Sequence, residues 1–338
     1  MGVTTGTAGS SATPATDLYN LLATAMTANG NWTEQSDSPV SAANAGTTDI
    51  VRVWKCTGGA VNFYVFIEVD NTNLRLRIRL SEYWDTTGHR LRQPAGGGTS
   101  APSADSTSVT PTANGTVTDS DATIGSTNPL VSYVEVKVLG TAYNYLYEVR
   151  NNLLTVATKV SATNYYAVAG CFTTLVQALS DIAPLALLGH PANTGMSGTA
   201  GTSANSNNGR FTRLPGFGAV AVSGAFCCAA MPLLMAGCSN TGTGGTTNIF
   251  SSIGGVASNP WFSNHLVGPC IIHGMSAGTA ADRRGLRGYL PNFVAGYFTT
   301  EPSITDTIVV ASVTYYPLGR CCWNFATSAN GGYLAIKG

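Results

Sequence analysis

Residues 61–80 read VNFYVFIEVDNTNLRLRIRL, and both halves of this stretch place apolar side chains at every second position. A period of two is typical of a β-strand with one covered face. The polar piece NTN at 71–73 separates the two halves and is typical of a turn. The stretch therefore predicts an antiparallel hairpin.

The second strand of this hairpin carries three arginines, Arg75, Arg77 and Arg79, at alternate positions. The leucine and isoleucine residues between them are expected to face the core, and the arginines are expected to face solvent. Glu68 and Asp70 of the first strand would lie across from some of the arginines. An ion-pairing interface between subunits is the alternative use of these three arginines, and a nucleic-acid surface is not favoured.

Similar runs continue on both sides of the hairpin. DIVRVWK at 49–55 precedes it, and LVSYVEVKVLG at 130–140 follows. The β-rich residues 143–172 contain a turn at Asn151-Asn152, and the C-terminal runs 305–319 and 331–338 are again β-like. These runs predict antiparallel meanders.

One helix is predicted near the N-terminus, after Pro14 and before the stop signal Gly30, with Thr16 or Asp17 as its cap. Its apolar residues recur at helical spacing: Leu18, Leu21, Leu22, Ala25 and Met26. Together with the strands, this helix predicts a mainly β chain of antiparallel β-sandwich or jelly-roll-like domains with a short N-terminal helix.

Polar tracts with few large apolar side chains divide the chain into predicted regions. The helix and first meander occupy 1–92, a low-complexity loop or linker 93–128, and a second β region 129–192. A polar loop at 193–209 precedes a β-rich C-terminal region, 210–338, which could pack with 129–192 as one domain.

The composition points to a polar surface with little charge. Charged residues are 10% of the 338 residues, and the 17 basic and 17 acidic residues balance. This balance gives no general attraction to nucleic acid or to an anionic membrane, and it favours association with other subunits. The first residues lack a basic region followed by an apolar run, so synthesis in a cytoplasm is expected.

The cysteines include two adjacent pairs and no C-x-x-C spacing, so buried free thiols are expected rather than a metal site or disulfides. The eight cysteines are Cys56, Cys171, Cys227, Cys228, Cys238, Cys270, Cys321 and Cys322. His265, Cys270 and His273 lie close in sequence, but on a strand Cys270 and His273 would point to opposite faces. No metal or cofactor is predicted.

Two further patterns resemble functional signals, one of a nucleophilic serine and one of a membrane span. Residues 274–278 fit G-x-S-x-G around Ser276, but all four histidines precede this serine, so the base that a nucleophile elbow requires downstream is missing. The uncharged run 217–238 is long enough to span a membrane, yet it is rich in Ala and Gly and contains Pro232. A buried or subunit-facing segment is expected there, with no membrane span.

Three longer stretches share a pattern of strands and turns with one class of protein. The first runs from 19–35, with Gly-Asn-Trp-Thr at its end, into the meander 49–97. The second is 145–190, where Gly170-Cys171-Phe172 departs by one inserted residue, and the third is 281–310, with Arg-Gly-x-Leu-Pro at 287–291. Together they resemble virion structural proteins of tailed bacteriophages. The resemblance implies a β-sandwich-rich subunit of a symmetric complex in the tail, baseplate, fibre or neck, and it brings no functional residues with it.

The leading hypothesis is accordingly a non-enzymatic virion component, located in the virion, that forms a homo-oligomer and contacts other virion structural proteins. The alternative is a host-receptor or glycan-binding tail-tip protein that uses an aromatic platform. The candidate platform residues are Tyr143, Tyr145, Tyr147, Tyr165 and Tyr166. A serine esterase at Ser276 is a remote third hypothesis.

Overall fold

The computed structural model describes most of the β-rich parts of the chain and its N-terminal helix. The described residues are 2–35, 50–81, 83–85, 90–92, 109–111, 117–119, 133–174, 185–189, 194–195, 212–213, 227–232, 240–241, 245–246, 265–275, 285–298, 302–322 and 331–338.

The described elements are one helix and 25 strands. The helix α1 spans Pro14–Asn29. The strands, in chain order, are β1 Thr4–Ala8, β2 Trp32–Glu34, β3 Ile50–Cys56, β4 Phe63–Asp70, β5 Arg75–Ser81, β6 Tyr83–Asp85, β7 Arg90–Arg92, β8 Val109–Pro111, β9 Val117–Asp119, β10 Tyr133–Lys137, β11 Tyr143–Arg150, β12 Leu153–Val160, β13 Thr163–Cys171, β14 Thr173–Thr174, β15 Leu185–Gly189, β16 Thr194–Gly195, β17 Thr212–Arg213, β18 Cys227–Pro232, β19 Asn240–Thr241, β20 Gly245–Thr246, β21 His265–Met275, β22 Gly285–Phe298, β23 Ile308–Val310, β24 Val313–Cys322 and β25 Gly331–Lys337.

Three antiparallel sheets form the body of the described structure. The central sheet has the strand order β1-β11-β12-β13-β15, and the arginine sheet has the order β16-β10-β5-β4-β3-β2. The C-terminal sheet has the order β17-β18-β21-β22-β25-β24-β23, with β14 paired to β22. Two smaller sheets have the strand orders β6-β7-β8-β9 and β19-β20. The mainly β, sandwich-like fold with one short helix is thus confirmed.

The central sheet is covered on both faces. Leu154 and Val156 of β12 point into the core shared with the arginine sheet and α1. Their neighbours Thr155 and Ala157 point to the other face and are equally buried. On that second face, Tyr166 of β13 lies against Gly319 of β24 in the C-terminal sheet, and Asn164 donates a hydrogen bond to the carbonyl oxygen of Pro302 at 2.7 Å. The sandwich is therefore three sheets deep.

The predicted apolar face of the 61–80 hairpin is confirmed. Leu76, Ile78 and Leu80 of β5 are buried in the shared core, and Leu74 packs against it from the turn. Each such side chain contributes about 1.5–3 kcal/mol when it is fully buried. The Asn151-Asn152 turn is also confirmed, because it joins the paired residues Arg150 and Leu153 of β11 and β12. Local pattern and observed register agree here.

The helix begins differently from the prediction. Pro14 is its first residue, so Thr16 lies inside the first turn, and Thr13 at the cap position makes no side-chain cap bond. The cap comes from the β4–β5 turn, where Asn71 Oδ1 accepts hydrogen bonds from the backbone N–H groups of Ala15 (3.0 Å) and Thr16 (3.3 Å). Asn71 Nδ2 also donates to Thr16 Oγ1 at 2.8 Å. The predicted cap at Thr16 or Asp17 was wrong because the capping side chain is remote in sequence.

The C-terminal end of the helix follows its predicted signal. Gly30 adopts a left-handed conformation with φ of 77° directly after Asn29. Such a residue ends a helix without the steric cost of a β-carbon. The stop at Gly30 is thus confirmed.

The predicted regions 1–92 and 129–192 share sheets in the described structure. Strand β10 of the second region pairs with β5 of the first, and β1 pairs with β11. Side chains from both regions enter one hydrophobic core. Their described parts therefore form one structural unit, whereas the predicted loops 93–128 and 193–209 lie mostly outside the described residues.

Replacing Asn71 with alanine should lower the free energy of unfolding by about 1–2 kcal/mol, because two helix N–H groups lose their acceptor. Urea denaturation followed by circular dichroism measures this change. The matched control is Asn20→Ala, an exposed residue of the same helix, which should change stability by less than about 0.5 kcal/mol. An equal effect of the two substitutions would contradict the capping role of Asn71.

Candidate functional site

The three arginines of β5 lie between acidic residues of two neighbouring strands. Arg77 stands opposite Glu68 of β4 on one side and opposite Glu135 of β10 on the other. Arg75 stands opposite Asp70 of β4. Because directly opposite residues in an antiparallel ladder share a face, all five side chains lie on the face of the arginine sheet that points away from the shared core.

The contacts within this group are ion pairs. Arg75 Nε lies 2.9 Å from Asp70 Oδ2, and Arg75 Nη1 lies 2.7 Å from Glu135 Oε1. Arg77 Nε donates to the same Glu135 oxygen at 2.9 Å, and Arg77 Nη1 lies 3.3 Å from Glu68 Oε1. Glu135 Oε1 is therefore shared by two guanidinium groups, which ties β10 to β5.

Arg79 completes the arginine network, which we define as Arg75, Arg77, Arg79, Glu68, Asp70 and Glu135. Arg79 Nη2 lies 4.0 Å from Glu68 Oε2, and the Arg79 side chain is only 1% exposed. Three positive and three negative groups thus balance within the network. This neutrality matters because an unpaired buried charge costs several kcal/mol.

The expectation that the arginines face solvent was wrong for Arg79, whereas the side chains of Arg75 and Arg77 remain about a fifth exposed, at 20% and 21%. They lie on the predicted face, but Arg79 is buried and Glu68, Asp70 and Glu135 are nearly so. Phe66 on the same face of β4 is also fully buried. This second face is therefore covered around Phe66 and Arg79, and the sequence period alone could not show that. An interface role for the arginines stays a prediction, since the acidic partners that the structure shows all belong to the same chain.

The pKa values of the two acidic residues of β4, Glu68 and Asp70, are shifted in opposite directions. Burial raises the pKa of Glu68 above its usual value of 4.5, and the positive charges of Arg77, Arg79 and Arg75 offset this only in part. Burial acts in the same direction on Asp70, but hydrogen bonds from Asn73 and Arg75 outweigh it, and the pKa of Asp70 falls below 3.8. The hydrogen bonds that Asp70 accepts therefore reverse the effect of burial.

These shifts act on stability in opposite pH ranges. The raised pKa of Glu68 gives stability that is present below pH 4.5 and is lost as the pH rises through the folded-state pKa. The lowered pKa of Asp70 gives stability that is present above pH 3.8 and is lost as the pH falls through the folded-state pKa.

The cysteine prediction is confirmed where the side chains are described. Cys56, Cys171 and Cys270 are buried and free. Burial raises the pKa of the Cys56 thiol to about 12, and its Sγ donates to the carbonyl oxygen of Asn151 at 3.1 Å. A thiol held in this neutral form is a poor nucleophile. The side chains of the remaining five cysteines lie outside the described part.

The other sequence candidates fall on or beside β21. His265, Cys270 and His273 all belong to this strand, and Cys270 is fully buried. Gly274 and Met275 end β21, and Ser276 lies outside the described residues. In the described part of the chain, no three His, Cys, Asp or Glu residues are grouped so that they could hold a metal ion.

The uncharged run 217–238 is described only at Cys227–Pro232, which forms strand β18. Within the described ranges, no helix has the length and apolar character needed to cross a membrane.

The five tyrosines do not form one platform. Tyr143, Tyr145 and Tyr147 of β11 alternate with residues of the opposite face, and they lie on the face toward α1 and the arginine sheet. Tyr166 points to the other face and is buried against the C-terminal sheet. Tyr165 lies beside Lys137, whose Nζ is 5.4 Å from the ring centre. Only a subset could therefore contact one ligand.

Comparison with known proteins yields no assignment. No family model matches the chain, and no curated protein sequence matches it. Function is accordingly argued from the chemistry of the described residues.

Replacing Arg77 with methionine should lower the free energy of unfolding by about 2–4 kcal/mol, because the buried carboxylates of Glu68 and Glu135 lose a partner. The control is Arg52→Met. Arg52 pairs with Glu34 at 3.2 Å in a more exposed site, so its loss should cost about 0–1 kcal/mol. Chemical denaturation of both variants measures the difference, and equal costs would contradict the network's role in stability.

The substitution Asp70→Asn should destabilise the protein most at neutral pH, by about 2–3 kcal/mol, because the charge-assisted hydrogen bonds to Asn73 and Arg75 weaken. The deficit relative to the unmodified chain should shrink as the pH falls from 3.8 through the lower pKa of folded Asp70, because Asp70 itself then becomes protonated. Urea titrations at neutral and acidic pH measure this dependence. A deficit that is constant or grows toward low pH would disprove it.

Proposed function

We propose that this protein is a non-enzymatic structural subunit of a tailed-bacteriophage virion that works as a symmetric homo-oligomer. It is made in the host cytoplasm and incorporated into the tail, baseplate, fibre or neck, where its partners are further copies and other virion structural proteins. The proposal rests on the resemblance of residues 19–35, 49–97, 145–190 and 281–310, and on the chemistry of the surface.

The observation that supports an oligomer is an exposed apolar strand at the edge of the C-terminal sheet. Val309 is 65% exposed and Val310 is 46% exposed, and among the described residues they are the exposed large hydrophobic side chains. Both belong to β23, the last strand of the C-terminal sheet. An edge strand with exposed valines is prone to pair with another chain unless it is protected. A subunit contact at β23 would bury it.

The low charge of the chain supports the same conclusion. A net charge of zero leaves no long-range repulsion between copies. The arginine network pairs its charges within the chain, so these arginines are not needed to hold copies together. Repetition of such modest contacts in a closed ring gives a stable assembly.

Replacing Val309 or Val310 with lysine should shift the protein from a discrete oligomer toward the monomer, because a charge at the edge opposes strand pairing. Light scattering gives the mass, and negative-stain images of the same fraction give the symmetry. Asn20→Lys, which adds the same charge on the exposed side of α1, should leave the mass unchanged. An unmodified chain that stays a monomer of 34.9 kDa at all concentrations would overturn the homo-oligomer.

A further inference from the structure

A groove of about 240 Å³ opens between the end of β1 and the first turns of α1. Its floor is apolar and fixed. Leu18 and Tyr143 are buried there, and the Tyr143 hydroxyl donates a hydrogen bond to the carbonyl oxygen of Pro14 at 3.2 Å. Because drug-sized ligands need about 300–1,000 Å³, this groove suits a smaller group.

Tyr145 forms one wall of the groove and is held from two sides. Its ring stacks on Tyr147 with centres 6.2 Å apart and planes 21° apart. It also lies over Gly6 of β1, where an added β-carbon would collide with the phenol ring. The half-buried ring is therefore presented in one orientation, which lowers the entropy lost when a ligand packs against it.

The mouth of the groove offers both hydrogen-bond acceptors and a hydrogen-bond donor. Asp17 is exposed in the first turn of α1, and its carboxylate makes no hydrogen bond or ion pair with the described residues. Ser10 is also exposed and lines the groove. The carboxylate is an acceptor, whereas the hydroxyl both donates and accepts.

We propose that this groove binds one neutral sugar ring, whose C–H face packs on Tyr145 and whose hydroxyl groups bond to Asp17 and Ser10. A sugar offers an apolar face together with hydroxyls that donate and accept, so it uses the aromatic wall, the carboxylate and the serine at once. A lysine or arginine side chain would use the acceptor but leave the donor capacity of Ser10 unmatched. The site does not depend on the assembly proposed above.

The test is ligand-detected saturation-transfer NMR on the full chain, with methyl glycosides of glucose, galactose, mannose and N-acetylglucosamine as probes. At least one should bind with a dissociation constant of the order of 1 mM, as expected for a single small ring. Asp17→Asn and Tyr145→Leu should each weaken that binding about tenfold or more.

Tyr165→Leu is the matched control, because it removes a half-buried tyrosine of the same sheet that does not line the groove. Binding should persist in this variant. Gly6→Ala, which displaces the Tyr145 ring without removing it, should weaken binding as Tyr145→Leu does. Thermal unfolding of each variant confirms that it is folded, and the exposed Asp17→Asn keeps the test valid if a core variant is not.

Three results would overturn the proposal. The first is no binding of any of the four glycosides, and the second is binding that survives both Asp17→Asn and Tyr145→Leu. The third is binding of Nα-acetyl-lysine amide, whose ε-ammonium group is free, in place of the glycosides. The last result would identify the groove as a docking point for a cationic side chain of a protein partner. None of these results bears on the oligomeric state, so the two proposals fail separately.

Discussion

The described structure depends on burial of the central sheet on both faces. An antiparallel sheet of this length usually keeps one face in water, and its strands then alternate between apolar and polar residues. Strand β12 breaks this rule, because Leu154 and Val156 enter one core while Thr155 and Ala157 are buried on the opposite face, where the neighbouring β13 meets the C-terminal sheet. The arginine sheet and the C-terminal sheet are held in one body because they share this middle layer.

The arginine network imposes a second constraint, which is on strand register. A slip of one residue would exchange the two faces of β5 and place Arg77 in the shared core. It would also separate Glu135 from both of its guanidinium partners. Buried ion pairs contribute little net stability, because desolvation cancels much of their attraction. The network therefore acts mainly by making wrong pairings of β4, β5 and β10 costly.

These two constraints suit a subunit that must keep one shape in an assembly. The charges of the arginine network pair within the chain, the described cysteines are buried and free, and the exposed large hydrophobic side chains of the described part belong to β23. The groove beside α1 is the other feature that offers chemistry to a partner. The proposed roles thus occupy different places, with assembly at the sheet edge and ligand binding at the N-terminal helix.

The sequence by itself determined the helix, the strands of the meanders in 49–80 and 130–172, and the face on which each β5 side chain lies, because period and turn chemistry are local properties. It also indicated that Glu68 and Asp70 would meet the arginines, since a short turn brings neighbouring strands together. It did not indicate Glu135 as their shared partner or Asn71 as the helix cap, because each lies more than 50 residues from the groups it contacts. Only the tertiary structure decided that the arginine face is covered, since the alternation of side chains shows which residues share a face but not what lies against it.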